Sequence, residues 1–96
     1  MASPPHKTVT VRVEGRVQGV YYRAWTEQTA RRLNLEGWVR NRRDGSVEAV
    51  FSGPAAQVED MLGRCAEGPP DARVTCVSVT DEGGAPPSGF QVLPTH

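Results

Sequence analysis

The chain has 96 residues, 11 basic and 11 acidic side chains and a formal net charge of zero, enough for one domain with a single two-layered core. A neutral total argues against broad nucleic-acid binding, which usually calls for a basic domain. The sequence has no apolar run of about 18 residues and no charged–apolar–small leader, so no membrane association and no export are expected, and the expected location is cytoplasmic.

The neutral sum hides an asymmetry. From Arg12 to Arg43 eight arginines face three glutamates, whereas from Asp44 onward eight carboxylates face two arginines. The positive half suits a small anionic ligand, and two solvated faces of opposite sign are the plainer alternative.

Residues 1–6, Met1-Ala2-Ser3-Pro4-Pro5-His6, read as a disordered tail ahead of a domain over residues 7–93. Lys7 to Glu14 alternates valine with polar residues, the pattern of a half-buried strand. Gly15-Arg16-Val17-Gln18-Gly19-Val20-Tyr21-Tyr22-Arg23 follows. Two glycines bracket a turn that aims backbone N–H groups at one point, beside an arginine and a helix start. Such a turn serves as an anion site or as nothing more than a tight connection.

Tyr22, Trp25, Thr29 or Ala30, and Leu33 recur at helical spacing, with Glu27, Gln28, Arg31 and Arg32 opposite. Asn34 is placed to end that helix in the left-handed conformation. Glu36 to Arg43 reads as a second strand, Asp44-Gly45 as a two-residue hairpin turn, and Ser46 to Ser52 as a third strand. Gly53-Pro54 opens a second helix with proline at its first position, and Val58, Met61, Leu62 and Cys65 form its buried stripe. Gly68-Pro69-Pro70 stops it. Arg73 to Thr80 is a fourth strand, and a Gly/Pro-rich link from Gly83 to Gly89 leads to a short last strand with Phe90 and Val92. Cys65 and Cys76 read as buried free thiols in a reducing compartment.

The order β-α-β-β-α-β plus a terminal strand is the split βαβ, ferredoxin-like α+β arrangement, with two helices on one face of a mostly antiparallel sheet. Right-handed crossover makes strands one and two parallel with strand three between them. The glycine turn and Asn41 then share one edge of the sheet, where ligand sites tend to form.

Several phosphate chemistries fail at this edge. A P-loop needs Lys-Ser or Lys-Thr after its second glycine, and Val20 follows Gly19. Neither cysteine adjoins the turn, as a cysteine phosphatase requires. His6 and His96 lie in the tails, so a histidine base or histidine metal cluster is not expected. Backbone N–H groups, Arg23 and Asn41 remain: a site that binds phosphate and positions water, suited to an already activated substrate.

The segment from Gly15 to Arg23 resembles the signature of the acylphosphatases. Gly37-Trp38-Val39-Arg40-Asn41-Arg42-Arg43-Asp44-Gly45-Ser46-Val47-Glu48 resembles their second motif, and the similarity spans nearly all of residues 7–93. The resemblance implies hydrolysis of small acyl phosphates to carboxylate and phosphate, without metal or other cofactor, by a monomer that inorganic phosphate inhibits. It implies that Arg23 binds the phosphoryl group with the amides of Gln18, Gly19, Val20, Tyr21 and Tyr22, and that Asn41 orients the attacking water. Tyr22 stands where that family commonly has phenylalanine, Asn34 where it has glycine, and the C-terminus lacks the usual aromatic or basic ending, which points to a looser last strand.

Each residue also has a plainer use. Arg23 alone reads as a partner for a surface carboxylate, Asn41 as a hairpin-side polar residue, and Trp25 and Trp38 as packing. Gly15 and Gly19 are backbone geometry, and Arg16, Arg40, Arg42 and Arg43 are solvated charges that steer anions. The rival class is a non-catalytic module of the same fold that binds RNA or a small anion. RNA-recognition sheets stack bases on central-strand aromatics, and here only Phe51 is placed for that, on a face that reads as core.

Overall fold

The valine alternation of the N-terminal segment builds an interior strand of a five-stranded sheet, in a computed structural model that describes residues 5–84 and 88–96. Strand β1 (His6–Arg16) is followed by α1 (Tyr22–Arg32), β2 (Glu36–Asn41), β3 (Val47–Pro54), α2 (Ala55–Cys65), β4 (Arg73–Glu82) and β5 (Phe90–Val92). The sheet order is β4-β1-β3-β2-β5. β3 pairs antiparallel with β1 and with β2, so β1 and β2 run parallel on either side of it. β4 is antiparallel to β1 and β5 parallel to β2, which makes the sheet mixed. This is the expected ferredoxin-like α+β arrangement.

One sheet face is sealed by the helices. Val9, Val11 and Val13 of β1, Val39 of β2 and Val47, Ala49 and Phe51 of β3 are buried against Val58, Met61 and Cys65 of α2 and Tyr22 and Ala30 of α1. At about 25 cal/mol per Å² of apolar surface, each fully buried valine or larger side chain contributes about 1.5–3 kcal/mol. α1 ends as its sequence requires. Asn34 takes φ 56°, and the N–H groups of Asn34 and Leu35 donate to the carbonyls of Arg31 and Ala30 at 3.1 and 2.9 Å. These are the two bonds of a Schellman cap.

Several boundaries differ from expectation for physical reasons. β1 begins at His6, one residue inside the expected tail, whose residues 1–4 lie outside those described; so does part of the Gly83–Gly89 link, residues 85–87. The β2–β3 connection is a three-residue turn rather than a two-residue one. The Arg42 N–H donates to Ser46 O (2.8 Å), the Gly45 N–H closes back on Arg42 O (3.2 Å), and Gly45 takes φ +96°. Pro54 caps α2 from outside, at φ −56°, ψ 136°, instead of opening it.

Cys65 is buried as expected but Cys76 is exposed. In the edge strand β4, Cys76 pairs with Glu14 and its neighbour Val77 with Val13. Strand alternation therefore turns Cys76 to the helix-free face. Nor is the last strand loose: Phe90 is buried and stacks on Phe51 at 5.9 Å, and the Leu93 and His96 N–H groups donate to Val39 O and Asn41 O.

Candidate active site

The turn after β1 and the start of α1 break the usual rules of helix initiation, and the breaks converge on one point. Tyr21, the N-cap, adopts a left-handed conformation (φ 72°) with no side-chain cap hydrogen bond, and the first turn holds no acidic residue. A non-glycine residue there costs about 1–2 kcal/mol, and a missing cap typically about 1 kcal/mol. The first intrahelical bond runs from the Trp25 N–H to Tyr21 O at 3.0 Å. The N–H groups ahead of it lack intrahelical acceptors. Arg23, at the second helical position, adds a cation to the positive end of the helix dipole, an unfavourable placement without an anion. Among the described residues no carboxylate pairs with Arg23. An anionic ligand satisfies all of these groups together.

The two glycines divide their roles. Gly15 lies within β1 at a β-bulge, where an added Cβ would meet Arg73 O at 2.1 Å, so it serves close approach to β4. Gly19 (φ +72°) has open space about it and supplies the turn conformation of the loop itself.

Asn41 arrives from the other side. Gly37, Val39 and Asn41 alternate onto the helix-covered face of β2, so the strand's last residue puts a carboxamide where the core gives way to a cavity. The cavity, about 330 Å³, is walled by Gly19, Tyr21, Arg23, Glu27, Asn41 and Val92 among others. Asn41 Oδ1 is buried and receives no hydrogen bond from the described residues, although burying an unpaired acceptor costs about 1–3 kcal/mol. An uncompensated cation and an orphaned carboxamide oxygen thus border the same space.

The expected ligand set sorts in two. Gly19, Tyr21, Tyr22 and Arg23 line the cavity with Asn41. Gln18 and Val20 do not. The Gln18 Nε2 donates to Arg42 O (2.7 Å) and Ser46 O (2.8 Å), clasping the loop to the β2–β3 turn, and Val20 is buried in the core. The Tyr22 ring is also core, with its hydroxyl donating to Cys65 O at 2.7 Å. Burial pushes the Tyr22 phenol far above its ordinary range and the Cys65 thiol up to about 12.

The flanking arginines are less free than expected. Arg40 is tied to Glu48 (2.7 Å) and lies over the Trp38 ring at 4.8 Å, and Arg42 reaches the same carboxylate at 3.3 Å. Asp44 accepts from the Ser46 N–H (2.9 Å) and Oγ–H (2.6 Å) and pairs with Arg12, which locks the turn that Gln18 clasps. Those hydrogen bonds to Ser46, followed by Arg12, hold the Asp44 carboxyl down at about 2.

Four lining residues lie outside the expected set: Val17 and Ala24, which flank it in sequence, and Glu27 and Val92. Glu27 lies one turn after Arg23, at a spacing legible in the sequence, and pairs with Arg31 at 3.3 Å. Val92 arrives only through the parallel pairing of β5 with β2, for which no local signal exists. Phe51 is fully buried, so it offers no base-stacking surface. Among the described residues no group of three or more His, Cys, Asp or Glu is placed to hold a metal ion, and no helix is long and apolar enough to cross a membrane.

Comparison with known proteins gives consistent matches. The acylphosphatase family model matches residues 9–92. The chain is 54% identical over 89 residues to an acylphosphatase of Rhodospirillum rubrum, covering 93% of this chain and 98% of that protein. It is 53% identical over 85 residues to one of Rhizorhabdus wittichii, covering 88% and 86%. Among solved structures, an acylphosphatase from Coxiella burnetii superposes with a TM-score of 0.87 at 35% identity, covering 92% and 93% of the two chains.

Proposed function

The chain belongs to the acylphosphatase family and is a hydrolase acting on acid anhydrides, and from that premise we propose that it splits small acyl phosphates with Arg23 holding the phosphoryl group and Asn41 positioning water. What supports the reading is a cavity bordered by both an uncompensated guanidinium and an orphaned carboxamide oxygen.

The phosphoryl oxygens sit between Arg23 and the free N–H groups at the start of α1, where fixed donors stabilise charge without reorganising. A fork of guanidinium donors fits two of those oxygens at once. The Asn41 Oδ1 accepts a hydrogen bond from the attacking water and fixes the water oxygen in line with the scissile bond. Water oxygen bonds to phosphorus as the bond from phosphorus to the acyl oxygen breaks. The electron pair leaves with the carboxylate, and the water proton passes to a phosphate oxygen. A carboxylate leaves readily without a general acid, so the site needs no titrating group of its own. The chemistry is positioning and charge stabilisation, as in phosphoryl transfer generally.

Neither a metal ion nor another cofactor enters this mechanism, the protein acts as a monomer, and the product phosphate competes with substrate at Arg23. The test is hydrolysis of benzoyl phosphate beside 4-nitrophenyl phosphate, each with and without EDTA. Turnover of the first alone, unchanged by chelation, is expected. Equal turnover of the monoester, or loss with EDTA that a divalent ion restores, refutes the mechanism.

A further inference from the structure

We propose that the outer half of this cavity is an acyl-group subsite, walled by Tyr21 and Val92, that selects acyl phosphates with an apolar, uncharged acyl group. The proposal rests on the reading of Arg23 and Asn41 as the phosphate end. Tyr21 and Val92 are 62% and 41% exposed, two of the three large apolar side chains so exposed among the described residues, and both border the one cavity that holds Arg23 and Asn41. The third, Val79, lies on the edge strand β4.

Tyr21 is not an idle ring. The left-handed turn at this residue asks for glycine or asparagine, not for a tyrosine. Its hydroxyl accepts a hydrogen bond from Gln28 Nε2 at 2.9 Å, seven residues further along α1, which holds the ring along the helix flank beside the cavity. Val92 is fixed by pairing with Val39, two residues before Asn41 in β2. A ring and a branched aliphatic side chain thus form a preorganised apolar wall, and exposed apolar surface beside a polar site is a mark of ligand contact.

Charge sets the second half of the preference. Arg23 and Glu27 are the charged residues of the lining, and Glu27 is paired with Arg31. The cavity therefore offers one uncompensated cation, sufficient for one phosphoryl group and none for a second anion. An acyl group with its own carboxylate or phosphate gains no partner there and meets the Glu27 carboxylate in the lining.

The test compares kcat/KM for acetyl, benzoyl and 4-carboxybenzoyl phosphate in the wild type, Tyr21→Asn and Val92→Thr. Asparagine keeps the left-handed turn, and threonine keeps the shape of valine. In a hydrophobic pocket one methylene changes kcat/KM roughly 10- to 200-fold. For this half-open wall the wild type is expected to prefer benzoyl over acetyl by about tenfold or more, and benzoyl over 4-carboxybenzoyl by a similar factor. Each variant should lower the benzoyl-to-acetyl ratio several-fold, a readout independent of the fraction of protein folded. Equal efficiency on all three substrates, or a ratio that survives both substitutions, overturns the subsite and leaves the phosphate end standing. No turnover of any acyl phosphate overturns the phosphate end, and the subsite with it.

Discussion

Replacing Asn41 by alanine separates chemistry from stability in one variant. If the carboxamide positions water, its loss removes an interaction made with the nucleophile and not with phosphate. Removal of one preorganised polar group of this kind lowers kcat about 10²- to 10³-fold. The constant for inhibition by inorganic phosphate should stay within about threefold, since Arg23 and the α1 amides, the groups assigned to the phosphoryl oxygens, are untouched. Stability should move the other way. Asn41 Oδ1 is buried without a partner, and such an atom costs about 1–3 kcal/mol. The alanine variant is relieved of that cost but gives up some packing at the cavity edge. The net change is about zero to +1 kcal/mol, and for a domain of this size 1 kcal/mol moves Tm about 4–8 °C. The variant should therefore melt at or above the wild-type temperature while nearly inactive. Continuous ultraviolet assay of benzoyl phosphate, phosphate competition and a thermal melt on one preparation give all three numbers. A Tm fall beyond about 4 °C, or phosphate affinity that collapses with kcat, would refute the reasoning and make Asn41 a structural or phosphate-binding residue.

Arg23→Ala should reduce kcat/KM by about two to four powers of ten and relieve phosphate inhibition, with Arg23→Lys a poor rescue because a point charge cannot replace a bidentate fork; near-normal rates in a folded variant contradict the assignment. The Asp44 carboxyl titrates at about 2 when folded, against 3.8 ordinarily, so its stabilising effect is fully present above pH 3.8 and is lost as pH falls toward 2. Asp44→Ala should accordingly lower Tm at pH 7, with the difference from wild type vanishing near pH 2; a constant difference contradicts the clip to Ser46 and Arg12. Thiol titration with Ellman's reagent should find one fast thiol, Cys76, and expose Cys65 only in denaturant, since Cys65 is buried and its pKa is pushed up to about 12; two fast thiols would contradict that placement.

Fold and site were legible in the sequence to different depths. Period-two valines in β1, the apolar stripe of α2 and the left-handed Asn34 are local signals that mark the elements, and the right-handed crossover rule places β3 between β1 and β2. Arg23 and Asn41 were legible as candidates because the turn after β1 and the end of β2 lie at the same sheet edge. What escaped depends on partners distant in sequence. Cys76 sits in a β-branched run that reads as core, and only the edge position of β4 and its register with Glu14 expose it. Gln18 reads as a phosphate-loop residue through its amide, and no local signal shows that its side chain spans 24 and 28 residues to clasp the β2–β3 turn. Arg40 reads as solvated, while Glu48 and Trp38 hold it on the sheet. The helix-start anomalies at Tyr21 and Arg23 are the informative conflict, because local rules fail where a ligand completes the structure.

The account is tested most directly by titrating the ¹⁵N-labelled protein with inorganic phosphate and mapping amide and guanidinium shifts. It predicts that the largest changes fall on Gly19, Tyr21, Tyr22, Arg23 and the Arg23 Nε–H, saturate together, and disappear in Arg23→Ala. A second cavity, lined by Arg42, Arg43, Asp44 and His96, provides the contrast. Shifts that centre there, or that persist without Arg23, would contradict the phosphate site from which the whole mechanism is built.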